Sequence, residues 1–108
     1  MLFRPFLPMA ALVAAACSSA FPSPGNAELG VLRTTDPGVR AADLEHGRAL
    51  YLAKCGNCHL LIEPAKFDPG VWPTQVERMQ REGRVHLGAA DQRDIERYLV
   101  ATSTLARR

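Results

Sequence analysis

Long apolar runs, abundant aromatics and a strong charge of one sign are all missing from this chain. Of 108 residues only 6% are aromatic, and the formal charge is +2. No cluster of lysines and arginines interleaved with aromatics occurs, so the electrostatic footprint of a nucleic-acid binder is missing. Valine and isoleucine are few and isolated, which leaves no strand-like runs. With 3 histidines and 3 cysteines, ligands for metals are scarce. The longest apolar stretch is 6–16, "FLPMAALVAAA". It is well short of the ~20 residues that cross a bilayer as a helix.

That stretch follows Arg4, and the two together read as the charged and apolar regions of a secretory leader. Pro5 and Pro8 speak against a buried helix there. Two processing points are open. One lies after Ala27, with Gly25 and Ala27 as the small residues before the cut. The other precedes Cys17 in "LVAAAC", which resembles a bacterial lipobox, although Ala14 stands where leucine is usual. The leader is therefore 1–27, or 1–16 with Cys17 as a lipidated N-terminus. The expected location is the periplasm, free or anchored to a membrane through Cys17. Either way an odd thiol is removed from an oxidising compartment, and Cys55 and Cys58 remain to be explained as a pair. Residues 28–40 have few large apolar residues and contain Pro37-Gly38; they read as a flexible linker. Residues 41–108 form the expected domain, whose core is marginal for its size without a disulfide, a metal or a large apolar cofactor.

Tyr51 to Pro64 reads "YLAKCGNCHLLIEP". Two thiols stand at i and i+3, with His59 next. Three chemistries use such a cluster. A structural zinc site wants four ligands, and His46 and His86 sit in no second knuckle. A redox dithiol wants its pair between a strand and a helix, and here a helical pattern comes first. The third is covalent attachment of a c-type haem, Cys-x-x-Cys-His. Thiols three apart on a helical turn point the same way and reach the two vinyl groups on one side of a porphyrin, while the following histidine offers nitrogen to iron. Gly56 and Asn57 are small enough for a close backbone approach. The sequence favours this reading: haem c, one per chain, bound through Cys55 and Cys58, with His59 on the iron.

Helical patterns flank the motif. Leu44, Gly47, Leu50-Tyr51 and Lys54 recur at helical spacing from Ala41, and a second helix is expected over 90–102 with Ile95, Tyr98 and Leu99 as its stripe. A glycine inside a helix costs about 1 kcal/mol relative to alanine, so Gly47 calls for a packing reason; a ring such as Tyr98 lying over it would supply one. A third helix is expected from Pro73, ending at Gly83. On it Trp72, Val76 and Met79 share a face by the i, i+4, i+7 rule, and in so small a chain that face is expected on the porphyrin. Met79 is the expected second axial ligand. His86, or an open iron, are the alternatives.

The sequence here resembles the class I c-type cytochromes. The resemblance rests on Gly47 and Tyr51, eight and four places before Cys55, on "CGNCH", and on Ile95 and Tyr98 three apart in the last helix. It implies an all-α fold of three to four helices wrapped round one covalently bound haem, with the first and last helices crossing at a glycine–aromatic pair and Tyr51 against the haem. It implies a proline carbonyl, from Pro64 or Pro69, accepting from the other ring nitrogen of His59. It implies an electron carrier, or the cytochrome subunit of a dehydrogenase, with transient redox protein partners and no catalysis of its own. Arg84, Lys66 and Trp72 are candidates to bond the propionates. A five-coordinate haem protein that binds a small gas or does peroxide chemistry is the alternative, with Gln75, Gln80 and His86 as its polar residues.

Overall fold

The computed structural model describes residues 20–56 and 61–108. Cys17, Cys58 and His59 lie outside the described residues, as do the charged and apolar regions read as a leader. Among the described residues the architecture is all-helical, with four α-helices and no strand. They are α1 (Asn26–Arg33), α2 (Ala41–Leu50), α3 (Trp72–Arg81) and α4 (Ala89–Ala106), joined by short 3-10 turns at Pro64–Lys66 and Pro69–Val71. No described helix is long and apolar enough to cross a membrane.

The helix starts follow local chemistry. Glu28 reaches back to the Gly25 backbone N–H at 2.8 Å, and Asp43 to that of Arg40 at 2.9 Å, so both helices begin with a carboxylate on an otherwise unpaired donor. Pro73 occupies the first turn of α3, where its missing N–H costs nothing. Gly83 follows α3 with φ +72°, the left-handed stop that glycine adopts without strain.

The long helix α4 packs against α2, α1, α3 and both 3-10 turns. The main core consists of Tyr51, Trp72, Val76, Ile95, Tyr98 and Leu99. A second cluster joins Leu29, Leu32, Val39, Leu44 and Ala101. The stretch read as a flexible linker therefore differs from expectation. It carries α1, whose Leu29 and Leu32 are buried against α4, and Val39 buries beside them. Eight residues with two well-placed leucines suffice because α4 supplies the rest of the apolar surface; tertiary packing, not propensity, holds a helix this short.

The expected crossing of the first and last helices is present, with a different contact. A Cβ on Gly47 would lie 1.9 Å from the Asp94 carbonyl oxygen and 3.2 Å from the Ile95 nitrogen. The backbone of α4, not the ring of Tyr98, fills the space that the glycine leaves. Tyr98 instead packs on Tyr51, with ring centroids 6.5 Å apart. Polar pairs flank the crossing. His46 Nδ1 lies 2.9 Å from Asp94 Oδ2. Arg97 binds Asp36 at 2.6 Å and Asp94 at 3.1 Å, with Asp43 at 3.6 Å. Burial pulls the Arg97 pKa down, but these three carboxylates outweigh it and the group goes up.

Candidate functional site

After α2 the helix widens into a π turn, Tyr51–Cys55. Such widened turns recur at functional sites, and here one ends on the first thiol of the motif. Tyr51 is buried, and its hydroxyl donates to the carbonyl oxygen of Ile62. That bond ties the chain before the motif to the chain after it. Gly56 has no room for a side chain either: a Cβ there would lie 2.8 Å from the Leu52 carbonyl oxygen and 3.3 Å from Leu61. The small residue admits neighbouring chain at this position.

A cleft of about 260 Å³ opens between this turn and α3. Tyr51, Cys55, Leu61, Ile62, Val85 and Met79 supply its apolar lining, with Lys54, Arg78, Arg84, Glu82 and Gln75 as its polar lining. Cys55 and Leu61, the cleft-lining residues on either side of 57–60, bring both described ends of the motif to this one site.

Of the three residues expected to face a porphyrin from α3, only Met79 lines the cleft. Trp72 and Val76 are core residues packed with Ile95, Tyr98 and Leu99. Trp72 is fully buried; its indole N–H donates to the Pro64 carbonyl at 2.8 Å, and its ring meets Phe67 edge-on at 5.1 Å. Its single ring donor is thus already engaged, and it does not line the cleft. The reason lies around the helix. Met79 shares a stripe with Gln75, Arg78 and Glu82 at i, i+3, i+4 and i+7, and that stripe lines the cleft, whereas Trp72 and Val76 turn to the core and Gln80 to Gln92 on α4.

The other candidates separate as cleanly. Arg84 lines the cleft; Lys66 and His86 are exposed and do not. Gln75 lines it, whereas Gln80 is engaged with Gln92 at 2.6 Å. The two carbonyls considered for the histidine ring each already accept one bond, Pro64 from the indole of Trp72 and Pro69 from its backbone N–H.

Electrostatics refine the picture. Burial pushes the Cys55 thiol up, the opposite of the lowered thiol of a redox-active dithiol. Burial, and then the neighbouring Cys55, pushes the Tyr51 phenol up, so it stays a hydrogen-bond donor. Three cations and one carboxylate surround the opening. One cation is neutralised by the Arg78–Glu82 pair at 3.3 Å, an exposed contact that contributes little to stability.

The donor set fits a covalently held haem: a thiol and a thioether on one apolar cleft, with cations at hand for carboxylates. Sequence reasoning missed Leu61, Ile62 and Val85 as lining residues. The apolar run Leu60-Leu61-Ile62 directly after the motif was the available signal. No family model matches the chain, and neither does any curated protein or solved structure searched.

Proposed function

We propose that this chain is a small exported cytochrome of the c type, carrying single electrons between periplasmic redox proteins. The observation that supports this best is the joint lining of one cleft by Cys55 and Met79 at a motif that reads Cys-x-x-Cys-His. Cys55 and Cys58 would hold the haem covalently, and His59 and Met79 would hold its iron. When bound, the group supplies a one-electron couple, which thioether ligation sets higher than bis-histidine ligation does.

The chain's own residues do the rest. Tyr51 ties the two ends of the motif together through Ile62. Trp72, Ile95, Tyr98 and Leu99 form a fully buried floor, and close packing of that kind supports the small rearrangement on charge transfer that a carrier needs. Lys54 and Arg84 offer charge to propionates. With His59 and Met79 both holding the iron, a small-molecule substrate would find no place on it, and partners would meet only an edge of the site. The interfaces are then small and transient, under about 1,200 Å².

The test is the visible spectrum and intact mass of the exported protein. A Soret band, a mass above that of bare polypeptide and a low-spin spectrum with a weak far-red methionine band are expected. Met79→Ala should abolish that far-red band and leave the covalent mass unchanged. A bare mass with no Soret band refutes the reading. A high-spin spectrum that responds to carbon monoxide refutes the carrier and favours a gas-binding haem protein.

A further inference from the structure

The sequence offers two bonds at which an exported chain is trimmed, and they differ in what they leave behind. The described structure begins at Ala20, and the next residues already belong to the fold. Phe21 packs on the main core, with its ring 6.4 Å from that of Tyr51. Arg48, on α2, donates from Nε to the Phe21 carbonyl at 3.0 Å. Tyr98, on α4, donates its hydroxyl to the Pro22 carbonyl at 2.9 Å. Gly25 caps α1: its carbonyl accepts from Leu29 N–H at 3.1 Å and its own N–H donates to Glu28. Residues 20–25 thus form a strap across the α2–α4 pair, held by one side chain from each helix, and run directly into α1.

A cut after Ala27 falls inside the first turn of α1. It removes the Gly25 cap and strips two carbonyls from Arg48 and Tyr98. The cut also takes Phe21 from its packing on Tyr51 and the Pro22 carbonyl from the Tyr98 hydroxyl, so an apolar contact of the main core and a hydrogen bond are lost together. A cut before Cys17 leaves the strap whole.

We infer that the strap is retained in the mature protein, and that the leader is removed at the Ala16–Cys17 bond rather than at Ala27–Glu28. A membrane peptidase adds water across that bond, leaving a carboxylate on Ala16 and the amine on Cys17. The inference rests on the export part of the proposed function and is independent of the haem.

The experiment is intact mass and N-terminal sequencing of the full chain expressed in an exporting bacterium, beside Ala27→Leu. Ala27 is exposed in α1, so the bulkier residue fits the fold while spoiling the small-residue position that a cut after it needs. The expected result is a chain that starts at Cys17, bare or acylated, and an Ala27→Leu chain processed to the same start with undiminished yield. A start at Glu28, or accumulation of unprocessed Ala27→Leu, overturns the inference. Full-length chain in both preparations overturns the inference together with export. Haem is read separately, from the Soret band of the same samples, so a failure of the haem reading is distinguishable from a failure of this one.

Discussion

Replacing Gly47 by alanine sets two effects of opposite sign against each other. In an isolated helix the change is favourable by about 1 kcal/mol, because glycine loses more backbone entropy on folding. In this fold the added Cβ would lie 1.9 Å from Asp94 O and 2.6 Å from Asp94 C, where ordinary contact begins at 3.4 Å. Both contacts are backbone, so no side chain can rotate away. Relief requires α4 to retreat by roughly 1.5 Å at the crossing, which loosens Leu44 and Ile95 on either side. Overpacking costs about 1–3 kcal/mol where side chains yield, and voids opened by the retreat add about 24 cal/mol per Å³. We expect a net loss of about 2–4 kcal/mol. For a domain of this size that lowers Tm by roughly 10–25 °C. Thermal unfolding followed by far-ultraviolet circular dichroism measures it, with Gly30→Ala as the control. Gly30 is exposed in α1, and its Cβ would meet nothing within 4 Å, so that substitution should hold or raise Tm. A Gly47→Ala protein as stable as the parent would refute the backbone-to-backbone crossing.

Other perturbations follow from single contacts. Tyr51→Phe removes the hydroxyl bonded to the Ile62 carbonyl and should cost about 1 kcal/mol in urea unfolding; an unchanged midpoint would mean that the tie is not made. The hydroxyl of buried Thr102 has no hydrogen-bond partner among the described residues, so Thr102→Val should raise stability by about 1 kcal/mol, and a loss of that size would reveal a bond to it. The hydrogen bonds from the Arg40 side chain and backbone hold Asp43 below the usual carboxylate value. Its contribution is therefore present above about pH 4 and lost as pH falls through the lower folded value. Asp43→Asn should flatten the acid limb of a Tm-against-pH profile; an unaltered limb would place the acid sensitivity in other groups.

The helices α2, α3 and α4 were legible because each carries an apolar period long enough to outweigh its polar residues. The helix α1 was not: Leu29 and Leu32 are too few to establish a period, and Pro37-Gly38 just downstream weights the stretch toward loop. What covers those leucines is Ala101 and its neighbours, seventy residues away in sequence, and local pattern carries no such information. On α3 the i, i+4, i+7 spacing brought Trp72, Val76 and Met79 near one another round the helix, but it did not mark where one face ends and the next begins: Trp72 and Val76 turn to the core, while Met79 joins Gln75, Arg78 and Glu82 on the adjacent stripe that lines the cleft. At Gly47 the absence of a side chain signalled a close approach without saying whether a ring or a backbone would make it. The Cys-x-x-Cys-His spacing stood out because it follows no apolar period and packing does not account for it.

Because α4 touches each of the other three described α-helices and both 3-10 turns, none of these can detach without baring some of it, and α4 can detach only when all of them do. Amide protons in its middle, around Ile95 to Ala101, should therefore exchange with solvent only through whole-molecule unfolding, while those of α1 and the 3-10 turns escape through smaller, cheaper openings. This one helix sets the ceiling on how long the molecule keeps its shape.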